Sequence, residues 1–583
     1  MNSPAQPPLP HVHIAGRGLA CALGSDLAES VAGLASGGYP ARLTETAQGA
    51  IPCFTMEPPA PDTSAGWNAR AREILCRVVR EAGGDTIRHA PLFIASSSLN
   101  MGAIERGQPF RMDMQSAAEE IARWLEWQGP VHWISTACTS SLNALITAGR
   151  MMRSGYCDDA LVLGVELANN FTLQGFAAMQ LLSASAAQPL GATRDGLVLG
   201  EAVAAIRLST ARQRWALLGG ASVVSDKDAT GASQEAVVSC WQQALHASGL
   251  GTDGSVDVLK LQAAGSPGND AIELAAVDAT FVCPPALTSL KAYIGHTLGA
   301  SGAAEIALLT ASLEAGVWPA VRHAQDAALA HGLSKAAPAS VARLLASIVG
   351  FGGSHASVVL QDSHTEPELP PAHASSPANA WEICGRSASA LAEDWQQQLI
   401  KRLGQRPRRI GAWAEAGLHG ALECMHAAGE VTLPAGDLLR ITSLYGPMAA
   451  TQQTLQTIRE DGMAMPFGFL QSQPGQLPAI VAQALQWQGD ARIANQRSPL
   501  SVLETACCEA GPQGMLIGWL EEARDAASAP GGQSGALPAY SFWLRLRPAT
   551  PDAHLTFAPV TADDLQSCRY LRLGTQGLEC AFA

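Results

Sequence analysis

The chain has 583 residues, 47% of them hydrophobic and 15% charged, enough to bury several cores at roughly 150 residues per compact domain. Its net charge of −14 comes without a basic block able to neutralise phosphates, which argues against a general nucleic-acid or anionic-membrane binder. No run of about 18 uninterrupted apolar residues offers a membrane span. The start, MNSPAQPPLPHVHIAGRG, lacks the basic and apolar regions of a secretory signal, and the 13 cysteines lack metal-ligand or disulfide spacing. Reduced thiols in the cytosol are expected.

In chain order, APLFIASSS (90–98), ALVLGVE (160–166), VLGEAVAAIRL (198–208), VDVLKLQA (256–263) and LASIVGFGG (345–353) are short apolar runs bounded by Gly, Ser or Asp, and they read as buried strands. Helical spacing marks SAAEEIARWLEWQ (116–128), TSSLNALITAGRMMRSG (139–155), SQEAVVSCWQQALHASG (233–249) and SGAAEIALLTASLEAG (301–316). The alternation implies a layered α/β architecture. Residues 363–380, rich in Pro, Ser and Glu, read as a linker, and ASAPGGQSGALPA (527–539) as a second low-complexity loop. Beyond the linker, LLRITSLYGPMAATQQTLQTI (438–458) reads as a strand followed by a helix. An echo crosses the boundary: ARWLEWQG (122–129) precedes STACTSSLNAL (135–145), and AQALQWQGD (482–490) precedes ETACCEAGPQGML (504–516). Read as a repeat, it sets Cys507 opposite Cys138.

The segment WISTACTSSLNAL places Cys138 after a short strand and at the first turn of a helix, where backbone N–H groups favour a thiolate. Three further segments follow in order: RDGLVLGEA (194–202), SLKAYIGHTLGASGAAE (289–305) and GFGGSHASVVL (350–360). Together, over residues 10–362, these resemble the β-ketoacyl synthases of fatty acid and polyketide assembly. The resemblance implies a thiolase-like α-β-α-β-α fold built from duplicated five-stranded mixed sheets. Its halves would be 10–210 and 211–362, with the linker at 363–380 and a degenerate N-terminal half-domain at 381–583.

The resemblance further implies that Cys138 takes an acyl group from a carrier-protein thioester, a reaction suited to a thiolate. His296 would polarise the malonyl carbonyl, and Lys291 would support His296. Glu201 would stand behind the site, a role compatible with that of a buried carboxylate paired with a base. The N–H of Phe351 would join that of Cys138 as an oxyanion hole. The ring of Phe351 would gate the nucleophile or serve as core packing, and Gly352 would permit close approach of backbone to ligand. No metal and no cofactor are implied; substrates would arrive on the phosphopantetheine of an acyl carrier protein. A homodimer joined along a central strand is expected, or a heterodimer with another ketosynthase-like subunit.

The family's first catalytic histidine is missing. In LKLQAAGSPGNDAIE (259–273), alignment on Asn269 and Asp270 puts Gln262 in its place, and a shift offers only Ala263 or Ala264. Glutamine donates a hydrogen bond but exchanges no proton. Three readings follow: a condensing synthase, a non-elongating acyltransferase, and a non-catalytic chain-length-factor-like partner. Cys507, with no later histidine or GFGG segment behind it, is expected to be silent.

Overall fold

The computed structural model describes residues 10–46, 49–109, 113–225, 231–251, 255–365, 380–496, 498–523, 538–551, 554–574 and 577–582. Most of the linker reading (363–380) and of the second low-complexity patch (527–539) lies outside them.

Two helices decide the layering. Helix α1 (Ser140–Arg153) and helix α2 (Ser301–Glu314) are buried on nearly every side, and a helix without a solvent face belongs in an interior layer. Small residues let the two approach: a side chain at Gly302 would collide with Leu142. Around them lies the main core, with Leu142, Leu145, Ile306 and Leu308 between two sheets.

The first sheet holds β1 (His13–Cys21), β2 (Leu92–Ala95), β3 (Val131–Ile134), β4 (Asp159–Glu166) and β5 (Ala202–Ser209). Its spatial order is β3-β2-β4-β5-β1, parallel among β3, β2 and β4 and antiparallel beyond. The second holds β6 (Trp215–Val224), β7 (Val258–Lys260), β8 (Ala286–Thr288), β9 (Arg343–Gly350) and β10 (Ser354–Asp362). Its order, β8-β7-β9-β10-β6, is the same with the same directions.

A third copy follows: β11 (Ala380–Arg386), β12 (Leu438–Thr442), β13 (Asp490–Asn495), β14 (Met515–Glu521) and β15 (Tyr540–Ala549). These strands run in the order β13-β12-β14-β15-β11. The repetition reaches side chains. Glu166, ending β4, accepts from the Ser97 N–H and the Ser98 hydroxyl; Glu521, ending β14, accepts from the Ser443 hydroxyl and the Leu444 and Tyr445 N–H groups.

The echo is therefore half right. Trp127 and Trp487 follow residues with positive φ (Glu126 53°, Gln486 48°), and each indole donates to a carbonyl of the preceding loop. The offset between these tryptophans takes Cys138 to Ser498, the residue before helix α3 (Pro499–Ala510). Cys507 lies inside α3, buried at 1%, so its alignment with Cys138 is corrected: the two TAC triplets are out of structural register.

Strand β13 pairs antiparallel with β3, Ala494 opposite Ile134 and Asn495 opposite Trp133. The third unit thus takes up Trp133 and Ile134 of this edge strand within one chain, where a second subunit was expected to join. Where the second unit's β6 borders β1, a terminal meander borders β11: β16 (Ala558–Pro559), β17 (Tyr570–Gly574) and β18 (Gly577–Ala581), with β17 on β11. It closes the open side of the third unit over a core with Leu503, Cys507 and Leu571. No helix among the described residues is long and apolar enough to cross a membrane.

Candidate active site

Cys138 sits in a tight turn between β3 and α1, and Ala137 before it is held at φ +51°. This left-handed conformation is costly for a residue with a side chain and is retained where surrounding contacts demand it. Here they do: the Ser140 hydroxyl donates to the Ala137 carbonyl, and the Thr136 N–H donates back to the Ser140 hydroxyl.

The sulfur lies 2.9 Å from Nε2 of His296. On the far side of that ring, Lys291 Nζ is 3.1 Å from Nδ1, with Ser301 Oγ at 3.3 Å and Gln262 Nε2 at 3.4 Å. An ammonium has only protons to offer, so Nδ1 is the acceptor and Nε2 carries the proton that faces the sulfur. Burial and the cations of Lys291 and Lys260 push His296 well below its usual range, keeping the ring neutral. Glu305, fully buried, pairs with both Lys291 and Lys260; without this carboxylate two buried ammoniums would stand unpaired, which is prohibitive.

The backbone N–H groups of Phe351 and of Cys138 favour the anion of the sulfur. Burial pushes the thiol up to about 11, against the pull of those donors and of Lys291. Because the thiol stays protonated at neutral pH, alkylation of Cys138 by iodoacetamide is expected to accelerate by about tenfold per unit of pH through pH 7 to 9.5. A plateau below pH 8 would show instead that the thiolate is already formed there.

The structure brings Cys138, His296, Lys291, Gln262 and Phe351 together. Glu201 does not join them: it receives a two-point contact from Arg70, at 3.1 and 3.0 Å, and the N–H groups of Met56 and Ala168. This is the buried carboxylate paired with a base. The acid that serves the cluster is Glu305, at the end of the KAYIGHTLGASGAAE run. A signal for it existed in the lysine of the otherwise apolar VLKL strand, since a buried lysine requires an acid. Gly352 is at φ +86°, and a side chain there would strike the carbonyl of Gly475 at 2.7 Å, so its freedom admits the third unit's own backbone.

Beside the sulfur opens an apolar cavity of about 100 Å³. Met101, Phe171 and Phe176 line it from the first unit, and Met448, Thr451 and Phe469 from the third. The Phe469 ring stands edge-on to Phe176 at 5.8 Å and tilted against Phe171 at 5.7 Å; a side chain at Gly175 would collide with it. Nothing in the sequence pointed to these third-unit residues. Among the described residues no group of three His, Cys, Asp or Glu could hold a metal ion.

Residues 95–214 match the beta-ketoacyl synthase N-terminal domain and residues 216–325 the beta-ketoacyl synthase C-terminal domain. This part of the chain is similar to the beta-ketoacyl synthases. Among curated relatives, the highly reducing polyketide synthase alnA of Emericella nidulans is 29% identical over 299 residues, which are 44% of this chain and 12% of that one. Erythronolide synthase EryA2 of Saccharopolyspora erythraea is 35% identical over 225 residues, 35% of this chain and 6% of that one. The chain spans only a small part of such relatives. Of solved structures, the PfaC keto synthase-chain length factor superposes with TM-score 0.70 at 14% identity, over 94% of this chain and 80% of that one. The ketosynthase ApeO, in complex with its chain length factor ApeC, from Xenorhabdus doucetiae gives 0.54 at 23% identity, over 62% of this chain and 100% of that one. These two likenesses are of fold.

Proposed function

We propose that the chain is a condensing enzyme of polyketide or fatty acid assembly that carries its own chain-length-determining unit. The observation that supports this best is the line Cys138–His296–Lys291–Glu305 opening onto an apolar cavity walled by the first and third units. In the first half-reaction the sulfur of Cys138 attacks a carrier-bound thioester, the bond to the pantetheine sulfur breaks, and the proton of Cys138 ends on the departing thiol. The N–H groups of Phe351 and Cys138 hold the negative oxygen in between. In the second, a malonyl thioester loses its carboxylate as carbon dioxide, and the enolate oxygen accepts the proton of His296 Nε2 as a hydrogen bond. The new carbanion displaces Cys138, which regains a proton from solvent.

An acyl carrier protein is the partner this reading requires. Although the chain is acidic, KRLGQRPRR (401–409) of the third unit sets five basic residues within nine positions, exposed except for Leu403 and Pro407. Arg409 stacks 4.1 Å over the ring of Phe467, two residues from the cavity-lining Phe469. Such a patch suits an acidic carrier protein.

Gln262 favours a second reading, a non-elongating acyltransferase. Its amide nitrogen reaches His296 Nδ1 rather than the sulfur, and its carbonyl oxygen is buried without a partner. Only one ring is then left to stabilise an enolate, whereas loading of Cys138 keeps every group it needs. Retention of the whole cluster argues against a purely non-catalytic role. The test is to incubate the protein with acyl carrier protein and malonyl carrier protein, reading Cys138 acylation by intact mass and carbon dioxide in parallel. Both signals are expected. Acylation alone selects the transferase, and neither signal across a range of acyl donors overturns both.

A further inference from the structure

Five buried or half-buried charges join the third unit to the helix that starts beside Cys138. Arg440 on β12 and Arg492 on β13 face Asp490 and Glu509, all with side chains at most 9% exposed. Arg440 meets Asp490 at 3.1 Å and Glu509 at 2.9 Å; Arg492 meets the same two at 2.7 and 2.6 Å. The fifth charge, Arg150, reaches from α1 in the first unit to Asp490 at 2.6 Å.

Two more residues of α1 enter the cluster. The Thr147 hydroxyl donates to Glu509 at 2.8 Å, while Arg492 donates to Thr147 Oγ1 and, at 3.3 Å, to the carbonyl of Asn143. Positions 143, 147 and 150 share one helix face. From there the contacts run to the reacting atoms. The Asn143 amide donates to Thr136 Oγ1 at 2.8 Å and Thr139 Oγ1 at 3.2 Å, on either side of Cys138. Thr139 Oγ1 lies 2.8 Å from Ser354 Oγ, the first residue of β10, just after the loop that presents Phe351.

Apolar contacts would hold two units together at least as well as buried ion pairs, which are better suited to fixing one geometry. We propose that Arg492 is a positioning residue for Cys138. Together with Glu509 it clamps α1 at Asn143 and Thr147, and through Asn143 it keeps the Thr136–Thr139 turn, the sulfur and the Phe351 N–H in mutual register. The third unit then governs the reactivity of the nucleophile as well as the shape of the cavity. The inference rests on Cys138 being the reactive thiol, not on which transfer it performs.

The test is the rate of Cys138 alkylation by iodoacetamide between pH 6 and 10 in the full-length protein and in Thr147→Val, Arg492→Lys and Thr310→Val. Thr310 is a fully buried hydroxyl of α2 outside the cluster, so its variant controls for loss of a buried hydroxyl. His296, Lys291 and Glu166, which act on the sulfur, are untouched in all three. Thr147→Val and Arg492→Lys are expected to react about tenfold more slowly than wild type at pH 8, with the profile moved to higher pH and thermal unfolding no worse than that of Thr310→Val. A folded Thr147→Val protein with the wild-type profile overturns the proposal, and it decides alone if Arg492→Lys does not fold. Alkylation needs no carrier protein. A wild type that alkylates as described but never accepts an acyl group would therefore sink the proposed function and leave this inference standing.

Discussion

Cys138→Ser is expected to yield a folded protein whose acyl-enzyme formation falls by at least about 10³-fold, because an alcohol in place of the thiol removes the nucleophile while the oxyanion donors and cavity remain. His296→Ala separates the two half-reactions. Loading draws chiefly on the sulfur and the N–H groups of Phe351 and Cys138, so it should stay within about tenfold of wild type. Decarboxylation should fall by about 10² or more, since with Gln262 turned toward His296 no second imidazole takes over. Intact-mass kinetics and carbon dioxide release measure the two. Equal losses in both would mean that loading needs His296 as much as decarboxylation does and would remove the argument for its role at the malonyl carbonyl.

The second large effect concerns stability. Glu509→Ala leaves Arg440 and Arg492 buried with Asp490 as their one remaining acid in the cluster. Breaking a buried ion pair from one side costs about 3–5 kcal/mol, so the urea midpoint should fall sharply. Burial opposes the charge on Glu509, but Arg440 and Arg492 hold the carboxyl below its usual range. That lowered value stabilises the fold above the ordinary carboxylate pKa, and the contribution disappears as pH falls through the folded-state value. The gap between wild type and Glu509→Ala should therefore narrow on acidification. A midpoint change worth less than about 1 kcal/mol would show that water compensates the arginines.

The cavity extends the argument about the third unit. Phe469 and Met448, which wall it, arrive on the same chain as Cys138. The Ala494–Ile134 pairing and the charge cluster place them. Removing residues 381–583 would expose the β3 edge and strand Arg150 without Asp490.

Much of the site was legible before any coordinates. Cys138, His296, Lys291 and Phe351 each sit in a short contiguous segment whose residue types are dictated by local needs: a small-residue turn at a helix start, a glycine-flanked histidine, a glycine-rich loop with positive φ. Such needs leave marks within about ten residues. The buried strands and the two central helices were legible as elements from their apolar spacing, while their place between the sheets came from the fold.

Other features depend on residues far apart, and there the sequence misled or was silent. Glu201 and Glu305 look alike as acids in apolar runs; only the fold shows that Arg70 claims the first and Lys291 the second. The TAC of residues 505–507 resembles that of 136–138 in letters, yet it lies within a helix, because register is set by strand pairing and by Trp127 and Trp487 filling the same position. By itself the sequence determined where the thiol and its one histidine lie, because such side chains come with particular neighbours along the chain. The tertiary structure alone decided that the third unit stands where a partner subunit was expected, walls the cavity and grips the nucleophile helix, because pairing a strand edge and burying charge are satisfied by groups hundreds of residues away.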